Sequence, residues 1–267
     1  MLSNPWKSAA TGLLAAAALA LPLTLATPAQ AIPVGLELVL AIDVSGSVDS
    51  GEFNLQKLGY VQAFQSAAVQ NAILSSQVGS IAVTFVQWSG AGQQQQTVGW
   101  TLINNTTTAN SFATAVNNIS RAFSGSTGIA SAIAYSTALL GANNGFEGIR
   151  KTIDVSGDGS ENENGNVAGA RNAAVAAGIT INGLPILGSE SGLDTYYANN
   201  VQGGPNSFTL AASNFTTFAT AIEQKLVREI TAVPEPASIA LFGLGMAGLG
   251  LVRRRARRQS ASLALAA

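Results

Sequence analysis

The chain of 267 residues contains no histidine and no cysteine. These absences exclude a Ser-His-Asp or Cys-His nucleophile, an imidazole or thiolate zinc site, and any disulfide framework. Carboxylates, hydroxyls and amides remain, and these groups are suited to hard cations that prefer oxygen ligands. With 47% hydrophobic residues, the chain has ample apolar material for one large domain or two small ones.

The charges are nearly balanced overall but unevenly distributed, with a formal net charge of −1. The first 31 residues carry one basic residue, and the segment 234–267 carries five arginines and one glutamate. The part between these segments keeps 7 basic and 13 acidic residues, a net charge of −6. Such an acidic domain is suited to a cation and poorly suited to nucleic acid, so we expect no nucleic-acid partner.

The N-terminal segment has the pattern of a secretory signal. Lys7 precedes an apolar run from Ala9 to about Leu25, and small residues stand at Ala29 and Ala31. This arrangement predicts a signal peptide over residues 1–31 with cleavage after Ala31. We therefore expect export through the inner membrane.

The C-terminal segment 234–267 has three parts: Pro234-Glu235-Pro236, an uncharged stretch over 237–252, and a cluster of five arginines. The stretch is at the short end for a transmembrane segment, and arginines stay cytoplasmic. The order resembles the PEP-CTERM sorting signal of Gram-negative bacteria that make exopolysaccharide. The resemblance implies recognition by an exosortase, transient anchoring in the inner membrane, and then a place at the cell surface or in the medium. A plain anchor that is never cut is the alternative.

Between these segments, residues 32–233 alternate between strand-like apolar runs and helical periodicity. We predict strands near 34–42, 80–88, 97–102, 151–156, 179–186 and 207–210. We predict helical segments at 50–73, with Ser50 as the N-cap, and at 109–123, 127–140, 167–177, 193–199 and 214–231. This order predicts one doubly wound α/β domain with a mainly parallel sheet and helices on both faces. Ligands of such sheets bind beyond the carboxyl ends of the strands.

Oxygen-bearing side chains stand in those loops. Asp43, Ser45 and Ser47 follow the first strand in a D-x-S-x-S pattern, which brings one carboxylate and two hydroxyls to the same side of a tight loop. Thr127 precedes a predicted helix, and Asp158 follows a later strand. Few carboxylates combined with hydroxyls favour a small octahedral cation, so we expect Mg²⁺ or Mn²⁺, with Ca²⁺ less favoured.

These five residues, in this order on an alternating α/β chain, resemble the von Willebrand factor type A (VWA) domain, a Rossmann-like fold with a metal-ion-dependent adhesion site. The resemblance implies that Ser45 and Ser47 bind the ion directly, that Thr127 binds directly or through water, and that Asp43 and Asp158 hold waters on it. It also implies that a partner, either a protein or an extracellular polymer, supplies an oxygen to the open position. Because Gly128 follows Thr127, we expect a lax loop there.

Other interpretations of the same residues remain open. Asp43 and the serines can merely cap turns and the first helix. The acidic segment 158–165 can be a solvated rim or hold a weak Ca²⁺, although it departs from an EF-hand loop. The pair Tyr196-Tyr197 can stack on sugar rings.

The leading expectation for function is a non-enzymatic, metal-dependent adhesion module of the envelope or extracellular matrix. One alternative is a hydrolase of exopolysaccharide that uses Asp158 with Glu161 or Glu163 as a carboxylate pair. The other is a passive matrix component with a vestigial metal site.

Overall fold

The computed structural model describes residues 30–232. Five strands alternate with seven helices along this part of the chain. The strands are β1 (Ile32–Asp43), β2 (Ile81–Trp88), β3 (Gln94–Ile103), β4 (Phe146–Gly157) and β5 (Ile179–Pro185). The helices are α1 (Ser50–Gln65), α2 (Ala67–Leu74), α3 (Thr106–Asn117), α4 (Ile129–Gly141), α5 (Val167–Ala176), α6 (Leu193–Tyr196) and α7 (Phe218–Thr231).

The five strands form one sheet in the order β3-β2-β1-β4-β5. The neighbours β2, β1, β4 and β5 pair in parallel, whereas β3 pairs antiparallel to β2. Leu40 at the centre of β1 lies opposite Phe85 on one side and Asp154 on the other. The prediction of a doubly wound, mainly parallel sheet is therefore confirmed.

Helices cover both faces of the sheet. Every residue of β1 from Val34 to Asp43 is buried, and alternate side chains enter opposite cores. Leu38 and Leu40 pack with α1, α2, α3 and α7, whereas Val39 and Ala41 pack with α4, α5 and α6. Burial on both faces explains why β1 appears in the sequence as a continuous apolar run.

Several predicted boundaries differ from the structure. The predicted strand at 207–210 makes only isolated bridges, such as Gly183 with Thr209, and does not join the ladder. The predicted helix at 50–73 breaks at Ser66, whose side chain accepts from the Val69 amide at 3.2 Å and caps α2. Asp49 rather than Ser50 caps α1, in a capping box with Glu52. Side-chain hydrogen bonds to backbone amides set these boundaries.

The loops after β1 and β4 leave the sheet in opposite directions. β1 leads to α1 on the first face, and its neighbour β4 leads to α5 on the second face. This divergence opens a crevice at the carboxyl ends of the two strands, where open α/β sheets bind their ligands. The crevice is therefore set by topology.

The first and last residues of the described chain lie near the amino ends of the parallel strands, at the side of the sheet away from the crevice. Arg150, in the first half of β4, donates to the carbonyls of Glu229 and Ile230 at 2.8 and 3.0 Å, near the end of α7. The amide of Ile32 donates to the Gly145 carbonyl at 2.9 Å. The chain therefore both begins and ends the domain near the amino ends of the parallel strands.

A buried charge cluster joins α7 to the sheet. The Lys225 ammonium lies 2.5 Å from Asp154 Oδ1 and 2.6 Å from Glu229 Oε1, and Asn182 donates to Glu229 at 2.8 Å. Burial and, to a smaller extent, the charge of Glu229 raise the pKa of Asp154 from 3.8 to about 7, against the opposing effect of Lys225. Two carboxylates therefore share one ammonium in the core.

The predicted signal segment, up to residue 29, and the tail from residue 233 onward lie outside the described residues. Within residues 30–232, none of the helices is long and apolar enough to cross a membrane.

Candidate metal centre

The first wall of the crevice is the loop between β1 and α1. Asp43 is fully buried at the end of β1, and its Oδ1 accepts a hydrogen bond of 2.7 Å from the Ser45 amide. Its Oδ2 is also buried and has no hydrogen-bond partner among the described residues. A buried carboxylate oxygen without a partner is costly, and such atoms in native proteins often face an ion or a water.

The hydroxyls of this loop meet the loops of the neighbouring elements. Ser45 Oγ lies 3.1 Å from Ser47 Oγ, and Ser47 Oγ donates to Asp158 Oδ1 at 2.7 Å. Thr127 Oγ1 lies 3.5 Å from Ser45 Oγ. The structure therefore brings together all five residues that the sequence nominates, from three loops.

The loop that carries Thr127 is firmly held, contrary to the expectation that Gly128 makes it lax. Asn162 Oδ1 accepts from the Thr127 amide at 2.9 Å, and the Asn162 amide donates to the Thr127 carbonyl at 3.0 Å. The Gly128 amide donates to the Ser89 carbonyl at 2.9 Å, and a Cβ atom on Gly128 would lie 2.9 Å from that same oxygen. Glycine is needed here for a close backbone approach, which fixes the threonine.

Three further residues support the centre and are absent from the sequence-based prediction. Arg121 donates to the carbonyls of Val44 and Ser45, which fixes the first loop. Ser189 Oγ donates to Asp158 Oδ2 at 3.3 Å, and Glu190 accepts from the Ser160 amide at 2.8 Å. Ser189 and Glu190 follow β5, so the position of their loop after a strand could have indicated them. No local pattern marks Arg121.

The carboxylates of Glu161 and Glu163 are partly exposed, as a solvated rim requires, and they are also hydrogen-bonded to backbone amides. Glu161 accepts from the Ala130 amide at 2.9 Å, and also from the amides of Glu163 and Gly165. Glu163 accepts from the Ala91 amide. Both carboxylates therefore connect the segment 158–165 to neighbouring backbone while keeping part of their surface in solvent.

The tyrosine pair also differs from expectation. Tyr197 is fully buried in the second core, with its ring centroid 6.3 Å from that of Tyr196. A side chain without exposed surface cannot stack on a sugar ring. Tyr196 is partly buried, and its hydroxyl accepts from the Glu161 amide at 3.3 Å.

The electrostatics of the crevice suit a divalent cation. Burial raises the pKa of Asp43 from 3.8 to about 7; the hydrogen bonds from Ser45 lower it, and the charge of Asp158 adds to the rise. A cation beside Asp43 would favour the ionised carboxylate and offset its burial. Within residues 30–232 no group of three or more acidic, histidine or cysteine residues could hold a metal. An ion here would therefore depend on the hydroxyls of Ser45, Ser47 and Thr127 as well as on the two carboxylates.

The fold and the three converging loops define a VWA-like domain. The chain belongs to the family described as "Protein of unknown function (DUF1194)", whose model matches residues 33–234. A second model, the PEP-CTERM protein-sorting motif, matches residues 232–258. This motif implies export, exosortase-type processing and a surface or secreted location. No curated protein sequence matches the chain.

Several solved structures are similar to this chain. Proximal thread matrix protein 1 from the mussel byssus, with a zinc-occupied MIDAS motif, has 13% identity and a TM-score of 0.59 over 77% of this chain and 50% of that one. A von Willebrand factor type A structure from Catenulispora acidiphila has 13% identity and a TM-score of 0.52, over 74% and 43%. The PilB minor pilin from Streptococcus sanguinis has 12% identity and a TM-score of 0.53, over 78% and 64%. At these identities the likeness shows the fold alone, and the chain spans about half the length of the mussel protein.

Proposed function

We propose that this protein is an exported, non-enzymatic adhesion module that binds a protein or an extracellular polymer through a divalent cation. Mg²⁺ is the ion we favour, and Mn²⁺ is the nearest alternative. One observation carries the proposal: Asp43 Oδ2 is buried and unpartnered at the strand ends, where hydroxyls and a second carboxylate converge. This donor set of oxygens matches the preference of small hard cations.

In this proposal, Ser45 and Ser47 would bind the ion directly. Thr127 would bind it directly or through water, and Asp43 and Asp158 would hold waters on it. The bound ion supplies a positive charge and an open coordination position for an oxygen of the partner. The remaining residues prepare the site: Arg121 fixes the backbone of the first loop, and Asn162 fixes the backbone at Thr127.

The sorting motif supports a role outside the cell. We propose that residues 237–252 anchor the chain transiently in the inner membrane before exosortase-type processing. The domain would then act at the cell surface or in the surrounding matrix. The neighbours that are a byssus matrix protein and a pilin are compatible with such a setting, although their own partners are not transferred to this chain.

The ion is tested by thermal unfolding of the purified domain during titration with Mg²⁺. A ligand at about 100 times its dissociation constant stabilises the folded state by about 2.7 kcal/mol. For a domain of this size that corresponds to a rise in Tm of roughly 5–10 °C. The rise should disappear in Asp43→Asn.

Asp49→Asn is the matched control, because it removes the same charge at the other end of the same loop while keeping an α1 cap. This variant should keep the rise in Tm. Absence of any rise in the wild-type domain with Mg²⁺, Mn²⁺, Ca²⁺ or Zn²⁺ would contradict the proposal and favour a passive matrix component. The partner class is tested by binding to the matrix fraction of the producing bacterium, which should be lost in EDTA and restored by Mg²⁺.

The carboxylate-pair hydrolase is less well supported. Its acid and base would have to be Asp158 with Glu161 or Glu163, at a fixed separation across a sugar cleft. Glu161 and Glu163 are instead hydrogen-bonded to backbone amides of adjoining segments. Turnover of the polysaccharide that disappears in Glu163→Gln would support the enzyme over the adhesion module.

A further inference from the structure

Tyr197 places a second unpartnered polar atom beside the candidate metal centre. Its side chain is fully buried, and its hydroxyl has no hydrogen-bond partner within the described part of the chain. Buried side-chain hydroxyls are nearly always hydrogen-bonded, so an isolated one points to a group that joins it in the functional state. The other fully buried tyrosine, Tyr60, behaves in the usual way, because its hydroxyl lies 3.2 Å from Ser156 Oγ.

The free hydroxyl of Tyr197 and the free oxygen of Asp43 both lie close to Gly157, on the side where a Cβ atom would stand. A Cβ atom built on Gly157 would lie 2.8 Å from Tyr197 OH and 2.8 Å from Asp43 Oδ2. A phenol has one proton to donate, and an ionised carboxylate oxygen accepts. The two atoms are therefore complementary as donor and acceptor.

The position of the tyrosine ring is closely determined by the sheet beneath it. A Cβ atom on Gly183 of β5 would lie 2.9 Å from Cδ1 of the ring, and one on Gly157 of β4 would approach the hydroxyl. The neighbouring strands β4 and β5 thus each have a glycine beside Tyr197, where a larger residue would collide with it. Tyr197 is the first residue of a π-helical turn, Tyr197–Val201, and such turns are found often at functional sites.

Burial, together with the nearby charges of Asp43 and Asp158, raises the pKa of Tyr197 well above 10.0. A phenol keeps its proton at neutral pH even without this rise, because its ordinary pKa is about 10. In many metal sites, a residue that does not touch the ion donates a hydrogen bond to a carboxylate that does, and so fixes the orientation of that carboxylate.

We propose that Tyr197 is a positioning residue of the metal centre, whose hydroxyl donates to Asp43 Oδ2, directly or through one bound water, and holds that carboxylate toward the ion. This inference rests on the proposed function, because it concerns the same ion. It adds a third residue from the segment after β5 to the centre, beside Ser189 and Glu190.

The test compares Mg²⁺ binding by the wild type, Tyr197→Phe and Tyr60→Phe, measured by isothermal titration calorimetry. Tyr197→Phe should weaken Mg²⁺ binding by about 10–100-fold, the usual effect of removing an outer partner of a metal ligand. Its Tm in EDTA should stay equal to that of the wild type or rise, because the hydroxyl it loses is unpartnered there. Tyr60→Phe should bind Mg²⁺ as the wild type does.

A spectroscopic signal separates positioning from simple packing. Mg²⁺ should perturb the ultraviolet difference spectrum of tyrosine in the wild type and in Tyr60→Phe, and this change should be absent in Tyr197→Phe. Gly157→Ala provides a second perturbation, since its methyl group would collide with Tyr197 OH and Asp43 Oδ2 and should also weaken Mg²⁺ binding.

The outcomes distinguish the two proposals. If the wild type binds no Mg²⁺, the proposed function fails, and this inference fails with it. If the wild type binds Mg²⁺ and Tyr197→Phe binds it equally well, the inference on Tyr197 is overturned while the metal centre stands.

Discussion

The carboxylate of Glu161 should stabilise the domain although it is far from the hydrophobic core. Helix α4 has Gly128 at its N-cap and no side-chain cap of its own. Glu161 Oε2 accepts from the Ala130 amide at 2.9 Å, in the first turn of that helix. Oε1 accepts from the amides of Glu163 and Gly165 at 3.2 and 3.3 Å. One side chain thus caps a helix and closes a loop.

Glu161→Gln keeps the shape of the side chain but removes its charge and one acceptor oxygen. A negative charge at a helix N-terminus contributes about 0.3–1 kcal/mol, and a hydrogen bond to a charged group contributes about 1.5–3 kcal/mol. Because Glu161 is partly exposed, solvent screening reduces both contributions. We expect a loss of about 1–2 kcal/mol in the free energy of unfolding, and a Tm lower by roughly 2–8 °C.

The assay is urea unfolding followed by circular dichroism, in EDTA so that no ion contributes. Glu147→Gln is the matched control, since Glu147 is exposed and accepts no hydrogen bond in the described structure. If both variants unfold at the same urea concentration as the wild type, then Glu161 does not cap α4 and the reasoning fails. A loss of stability here would also mean that reduced activity of Glu161→Gln could not by itself indicate a catalytic carboxylate.

Two further predictions concern the buried charge cluster and the Thr127 loop. Because Asp154 has a pKa raised from 3.8 to about 7, the folded state holds a proton that the unfolded state has lost, and stability falls as pH rises through this window. Asp154→Asn should remove that fall, so its Tm relative to the wild type should improve between pH 5 and pH 8; a constant difference would contradict the raised pKa. Gly128→Ala should lower the free energy of unfolding by about 1–3 kcal/mol, because its methyl group would meet backbone atoms of residues 89–91. An unchanged urea midpoint would show that this loop can move aside.

The sequence predicts those parts of the centre that depend on the ends of strands. The run before Asp43 is apolar because β1 is buried on both faces. Ser45 and Ser47 come together in the turn that follows the strand. The approach of Ser47 to Asp158 spans 111 residues, yet it follows from parallel neighbours ending at the same edge of the sheet. Fold class and these loops are therefore accessible from local patterns and topology.

Other features depend on side-chain contacts that no periodicity encodes. Tyr197 looks like one of a pair of loop aromatics, but the glycines at 157 and 183 leave room for its ring on the sheet. Glu161 looks like part of a solvated charge run, but amides from another segment use its oxygens. The segment 207–210 looks like a strand, but it pairs with β5 at single residues only. Each difference arises from a tertiary contact that overrides a local preference.

The placement of the chain ends has a mechanical consequence. The domain is left through α7, whose last turn is held by Arg150 at the amino ends of the parallel strands, whereas the five oxygen-bearing residues lie at the carboxyl ends. If, as proposed, residues beyond Ala232 hold the chain at a membrane, the crevice lies at the end of the domain away from that attachment. Under the proposed function, a pull on a captured partner would therefore load the domain from the carboxyl ends of its parallel strands to their amino ends.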